Sequence, residues 1–402
     1  MGDPTRVLFV NPGLAMGGAE QSLLLLLEGL RTRGVQATVS LFGEGAFRDR
    51  LLALGFPALC AGPPRSVRGV TRYRSPRAPF RAAALALASA PSVVRLAALA
   101  RRTQADLIHT NGLKAHLLAG LAGRMIGIPV VWHFRDFPPN GVAGRVFRLA
   151  ARRLPALVLA NSNAVAVAIG SRQAGSRKIA TVYNPVDLRR FHPGLPRGRI
   201  RHALGLGPDV PLVGLVAHLT PWKGHEQFLS IGRAVAKAVP AAHFVLAGGP
   251  IYETDGHAGY PELLRRRARE LGLDGKVAFL GPRDDVPEVL ADLDVLVHCP
   301  TAPEPFGRAL AEAMAVGCPV VAGRCGGIPE VVEDRVTGFL VPPMDVESFA
   351  SQVVRLLEDP VLRRQLGRSG RDRAEALFGA EAHASTVLEA YRSVLARDRG
   401  QS

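Results

Sequence analysis

Residues 294–332 read DVLVHCPTAPEPFGRALAEAMAVGCPVVAGRCGGIPEVV, and this stretch decides the fold. Residues 294–298 form a short apolar run, which predicts a buried strand, and a Pro-rich loop follows. The pattern then predicts a helix over 307–315, a Gly turn, a short strand over 319–322 and a second Gly turn into another helix. Strand, loop, helix and strand in this order make a ligand-binding αβ unit whose chemistry sits at the loop.

Two carboxylates stand in that unit, Glu304 in the loop and Glu312 inside the helix, with seven residues between them. A rise of about 1.5 Å per helical residue sets them roughly 8 to 10 Å apart, too far to share a proton. They read as two separate hydroxyl acceptors. Between them the N–H groups of Phe306, Gly307 and Arg308 point out of a helix N-terminus, which favours an anion such as a phosphate. A pyrophosphate with a sugar at each end fits this layout. The residues alone leave a plainer reading open, in which Glu304 caps the helix and Glu312 is solvated.

The string EPFGRALAEAMAVGCPVV, followed by GGIPEVV, resembles the donor-site signature of retaining glycosyltransferases of family 4, whose fold is GT-B. The resemblance implies an α/β chain of two Rossmann-like doubly wound domains facing a central cleft. It implies an acceptor-binding domain over residues 1–188, a donor-binding domain over 189–375, and a C-terminal helix within 376–402 that crosses back to the first domain. Glu304 would bind a hydroxyl of the donor sugar and Glu312 the ribose diol, with Pro305, Phe306, Gly307 and Arg308 also on the donor.

Bulk properties agree with a globular chain. At 402 residues there is room for two cores, and 48% hydrophobic with 6% aromatic residues excludes a disordered or fibrous class. No run of 18 apolar residues lacks a charge or a proline, and MGDPTRVLFVNP lacks a basic segment followed by an apolar one. The expectation is a cytoplasmic protein, at most peripheral on the inner face of the membrane. Cys60, Cys299, Cys318 and Cys325 follow no metal-ligand spacing and read as free thiols.

Charge is unevenly spread. Residues 1–188 hold 24 Lys and Arg against 8 Asp and Glu, whereas residues 189–402 hold 26 against 26, so the net +16 lies wholly in the first part. Residues 65–81 carry six arginines and no acid, followed by a largely apolar segment interrupted by Pro91 and Arg95. Such a pairing predicts contact with an anionic membrane surface or an anionic acceptor. Arginine-rich composition is the plainer explanation, since the chain has only five lysines. Nucleic acid is not expected, because aromatic residues do not interleave with the basic ones.

The chain opens with a strand over 6–11, the loop PGLAMGGAE and a helix, the start of a doubly wound domain. Gly17 and Gly18 would let a phosphate or sugar approach the backbone, and MGGAE matches the glycine loop of the resembled family. GxGxxG is missing, which argues against a dehydrogenase. His109 closes a strand over 105–110 and is a weaker site candidate. His133 stands in VVWHFRDFP at a strand end. By the resemblance it faces the donor sugar and the reaction centre. Residues 183–194, YNPVDLRRFHPG, have the Pro and Gly content of a hinge.

In the second domain Lys223 precedes Gly224 and a helix start. By the resemblance, an Arg and this Lys neutralise the donor pyrophosphate within Gly-Arg-Leu, three residues, Lys-Gly. Here Ala217, His218 and Leu219 stand where Gly-Arg-Leu belongs, which weakens phosphate binding or makes it pH-dependent. Gly248 and Gly249 end a strand facing the same site, and Gly281, Pro282 and Arg283 stand where the family holds the nucleobase. Asp292, Leu293 and Asp294 spell DxD, but at a helix-to-strand junction, and the resemblance implies basic residues and helix dipoles in place of a metal, so no metal site and no cofactor are expected.

The resemblance therefore implies sugar transfer from a UDP- or GDP-sugar to a lipid-linked, polysaccharide or small-molecule acceptor, with Glu304, His133 and Lys223 at the reaction centre. Two other classes compete: a sugar-nucleotide epimerase or phosphorylase, and a non-catalytic nucleotide-sugar-binding protein suggested by His218.

Overall fold

The structure, a computed structural model, describes residues 4–64, 79–170, 178–249 and 259–399. The side chains of residues 79–86 and of Arg399 are outside that description. The arginine-rich segment 65–81 therefore lies outside the described residues, except for the backbone of 79–81.

The chain divides into two units, Met1–Pro185 with Ala380–Ser402, and Val186–Gly379. The divisions fall after Pro185 and Gly379, where 188 and 375 were expected.

Among the described residues, the first unit contains seven strands: β1 (Arg6–Asn11), β2 (Gln36–Leu41), β3 (Ala58–Cys60), β4 (Leu107–Asn111), β5 (Val130–Phe134), β6 (Leu157–Ala160) and β7 (Ile179–Thr181). They form one sheet in the order β3-β2-β1-β4-β5-β6-β7, and every pair is parallel. Parallel strands with helices on both faces are buried on both sides, which is why their sequences are continuous apolar runs. Alternation still sorts the two faces. Val7 and Phe9 join a core with the helix Gly18–Arg31, through Leu23, Leu26, Leu27 and Leu30, and with the helix Ala380–Arg399. Leu8 and Val10 join the opposite core with Ala97, Ala119 and Trp132. The helix Pro79–Arg102 continues through Pro91.

The second unit repeats the plan with β8 (Leu212–Val216), β9 (His243–Ala247), β10 (Val277–Gly281), β11 (Val295–His298), β12 (Val320–Gly323) and β13 (Gly338–Val341). The order is β10-β9-β8-β11-β12-β13, again all parallel. The edge strand β13 has no counterpart in the sequence reading. In both sheets the order reverses between the first strand and the fourth, β1/β4 and β8/β11. Ligands of doubly wound folds bind at the carboxyl ends of strands at that switch point.

Asp292 and Asp294 are structural. Asp292 is fully buried and accepts N–H bonds from Gly198, Ile200 (2.5 Å) and Arg201 (3.3 Å). Asp294 takes the Arg201 guanidinium at 2.6 Å and the Leu212 N–H at 2.9 Å. Both carboxylates tie the Arg199–Ala203 helix to the base of β8 and β11, at the amino ends of those strands.

Candidate active site

In the second unit, β8 ends into Ala217–Leu219 and β11 ends into the Pro-rich loop carrying Glu304, so the switch point brings His218 and Glu304 to one place. Glu304 is 6% exposed. Its Oε2 accepts from Lys223 Nζ at 2.6 Å and lies 3.2 Å from His298 Nε2. Burial alone would push the carboxyl up, but the Lys223 charge and the His298 hydrogen bond outweigh it and hold the group at about 2. Glu304 is thus an ionised, water-poor acceptor.

The loop is held by its backbone. The Gly327 N–H donates to the Glu304 carbonyl at 2.8 Å. Gly326 has φ +58°, and a Cβ there would meet the same carbonyl oxygen at 2.1 Å, so this approach requires glycine. Pro305 and Phe306 are buried, and the Phe306 ring meets Phe378 edge-on at 5.4 Å. Gly307 caps the helix Arg308–Ala315, whose second turn carries Glu312. Glu312 is 6% exposed, and Arg308 reaches back to its Oε1 with Nη2 at 2.6 Å and Nε at 2.7 Å. The two carboxylates therefore have separate cations, as their spacing requires.

Lys223 ends the 3₁₀ turn Pro221–Lys223, and its ammonium lies 4.1 Å from the Trp222 ring centroid. His218 lies in the same electrostatic field. Burial first, then the positive charges of Lys223 and Arg308, bring its imidazole down to about 4, so it is neutral at pH 7. Gly248, at φ +144°, would place a Cβ 1.9 Å from the Ala217 carbonyl oxygen, and Leu219 N–H donates to the Gly249 carbonyl at 3.2 Å. Gly248 N–H donates to Gly281 at 2.8 Å, which brings the ends of β8, β9 and β10 together. Arg283, just beyond β10, directs its Nε to Asp285 at 2.6 Å.

In the first unit His133 is the penultimate residue of β5 and is fully buried. Burial, then Arg135, hold it well below the usual histidine range, as they do His109. Arg135 donates to Asn111 (2.8 Å) and Asn184, and Asn111 donates to Asn11 at 2.7 Å. Gly17 is buried before the helix Gly18–Arg31. Its N–H donates to Glu20 at 3.2 Å, and Glu20 also takes Asn11 at 3.3 Å. A buried carboxylate, raised by its burial, thus already occupies that helix start. His298, Arg135, Asn11, Asn111 and Glu20 were not singled out from sequence. His298 carried one signal, a histidine ending an apolar strand six residues before Glu304.

These sites can be set beside known proteins. A family model described as Glycosyl transferases group 1 matches residues 196–373, and one described as Glycosyltransferase Family 4 matches residues 16–190. The 2-deoxystreptamine glucosyltransferase of Streptomyces kanamyceticus is 30% identical over 393 residues, covering 89% of this chain and 97% of that one. The chain is a group 1 glycosyltransferase by family. D-inositol 3-phosphate glycosyltransferase of Saccharomonospora viridis is 35% identical over 228 residues, 55% of this chain and 52% of that protein. The chain thus spans about half the length of that group 1 relative, and 47% of the Mycobacterium marinum protein of the same name. Its two doubly wound units are those of the GT-B fold. Anabaena HepE, in a crystal structure with UDP and glucose, superimposes with a TM-score of 0.81 at 29% identity, over 97% of this chain and 100% of that one.

Proposed function

We propose that this group 1 chain transfers a sugar from a nucleoside diphosphate sugar to an acceptor hydroxyl, with retention at the anomeric carbon and no metal requirement. One observation carries the reading: Glu304 is buried yet ionised, clasped by Lys223 and His298 just ahead of a helix start. A carboxyl held at about 2 accepts hydrogen bonds at working pH and has no proton to give, which suits a sugar hydroxyl. Glu312, oriented by Arg308, suits the ribose diol. Lys223, Arg308 and the N–H groups from Phe306 to Arg308 offset the charge that grows on the departing diphosphate. His218 adds a neutral ring N–H in place of a guanidinium, and Gly248, Gly249 and Arg283 line the nucleoside side.

In this reading the bond from the anomeric carbon to the diphosphate oxygen breaks while the acceptor oxygen bonds to the same face. The departing phosphate oxygen takes the acceptor's proton. His133 is assigned to the donor sugar. Glu20 already takes the Gly17 N–H, so that loop is assigned to sugar or acceptor. UDP is favoured over GDP because HepE was crystallised with UDP and with UDP-glucose.

The acceptor is a lipid-linked, polysaccharide or small-molecule hydroxyl. Contact with an anionic membrane through residues 65–81 is supported by Leu87 and Val94, 77% and 57% exposed and two turns apart on the helix that follows. Among the described residues no helix is long and apolar enough to cross a membrane.

A thermal-shift panel of nucleoside diphosphates and their sugars tests the donor. UDP and a UDP-sugar are expected to raise the midpoint, because a ligand of the folded state alone stabilises it. NMR of the product with the responding donor is expected to show the donor's anomeric configuration. An inverted product would end the retaining assignment, and epimerised free donor would end the transferase reading.

A further inference from the structure

The helix Ala380–Arg399 lies on the face of the first sheet that carries two histidines. Parallel pairing sets His109 beside Val131 and Asn111 beside His133, so His109 and His133 emerge on one face. Below the strand ends, where Asn11 and Asn111 also lie on it, that face is apolar, built from Val7, Phe9, Leu107 and Val131. The helix covers it with Ala384, Val387, Leu388 and Val394, and among them places His383 and Tyr391, both buried.

Polar side chains in such a layer are destabilising unless they are hydrogen-bonded. Both are. The Tyr391 hydroxyl lies 2.7 Å from His109 Nδ1, and His383 Nδ1 lies 2.8 Å from the Tyr183 carbonyl oxygen. These bonds hold two rings against His133. His109 meets it edge-on, with centroids 5.3 Å apart at 72°, and His383 stacks at 5.9 Å and 24°. Arg135, just beyond β5, approaches as well, its Nη2 3.5 Å from His133 Nδ1.

Donor and acceptor rules place the protons. A guanidinium only donates, so His133 Nδ1 faces it with a lone pair and the ring proton sits on Nε2. A carbonyl only accepts, so His383 carries its proton on Nδ1. The Nε2 atoms of His109, His133 and His383 are buried and meet no hydrogen-bond partner among the described residues.

We propose that Tyr391 and His383 are positioning residues for His133: they fix its ring between their own contacts in the Nε2–H form, so the last helix of the chain sets the geometry of a side chain delivered by β5. The consequence for transfer rests on assigning His133 to the donor sugar, whereas the ring geometry does not. Burial and then Arg135 keep His133 neutral, which suits a fixed tautomer.

The test is the ¹⁵N spectrum of the ring nitrogens in the histidine-labelled full-length chain, with His133 assigned from His133→Gln. Tyr391→Phe removes one hydroxyl, and His383→Asn keeps a donor for Tyr183 while removing the stacked ring. Both are expected to move the His133 signals towards tautomer averaging. Both should also lower kcat about tenfold with donor KM within about twofold, the pattern of a contact that matters to the transition state. Val394→Ala, on the same helix, should lower stability and leave ring signals and kcat alone. Unchanged His133 signals in both Tyr391→Phe and His383→Asn would overturn the proposal. Should His133→Gln retain full transfer, the assignment of His133 to the donor sugar fails, and the ring signals still judge the positioning.

Discussion

At the end of β11, Glu304 is ionised between Lys223 and His298, whereas at the end of β5, His133 is neutral beside Arg135. The two sheets share one strand order around their switch points, and their edges hold opposite chemistry. The second unit matches acids with bases there: Lys223 with Glu304, and Arg308 with Glu312. The first unit surrounds Arg135 with the amides of Asn111 and Asn184, and stacks uncharged imidazoles beside it. A repeated fold therefore does not repeat a site. Loop residues beyond each strand end decide which charges an edge can hold, and the strands only bring them together.

The largest effect expected from this contrast is at Glu304. Glu304→Ala should lower transfer by a factor on the order of 10³, as loss of a preorganised polar contact at a reacting centre does, with nucleoside diphosphate binding retained by calorimetry. Unchanged turnover would remove Glu304 from the site. Lys223→Met leaves the buried Glu304 without its ammonium, and should cost about 3 kcal/mol of unfolding free energy in urea titrations. A variant as stable as the parent would show the pair to be dispensable for the fold.

The first unit should respond to acid. Burial brings His116 and His383 down to about 3, and holds His109 and His133 well below the ordinary value of 6.5. Between about 3 and 6.5 the unfolded chain binds protons that the folded chain refuses, so stability rises with pH. It is fully present above 6.5 and is lost as pH falls towards 3. The slope is about 1.4 kcal/mol per pH unit for each such histidine, readable from urea midpoints at pH 7 and pH 5. Flat stability across that interval would mean the imidazoles are not held neutral. The smallest effect belongs to an exposed pair away from both edges. Glu262→Gln, which loses a contact to Arg265 at 3.4 Å, should change stability by less than about 0.5 kcal/mol.

Much of this was legible in residues 294–332. Apolar runs and Gly turns gave β11, β12 and the helix between them, because strand burial and helix spacing are local properties of sequence. Glu304, Glu312 and Lys223 were recognisable through the motif that contains them. His298 was not, since a histidine ending a strand has no local mark of its partner. Arg135 stood unnoticed within VVWHFRDFP, because its partners come from elsewhere, Asn111 from the end of β4 and Asn184 from a later loop. Gly17 and Gly18 suggested a place for a phosphate or a sugar, and nothing local showed that Glu20, three residues on, takes the Gly17 N–H. Tyr391 has no local mark of its partner either, since its bond to His109 spans 282 residues of sequence.

The placement of that helix bears on the order in which the molecule forms. Residues Val186–Gly379 are continuous and hold their own core, so this unit can fold as soon as it leaves the ribosome. The earlier unit cannot finish. Its sheet face waits for Ala384, Val387, Leu388, Tyr391 and Val394, which are synthesised after the whole of Val186–Gly379. The unit begun earlier is completed only after the other has been made, with an apolar surface left uncovered until then, and a stop codon placed before residue 380 would leave it so.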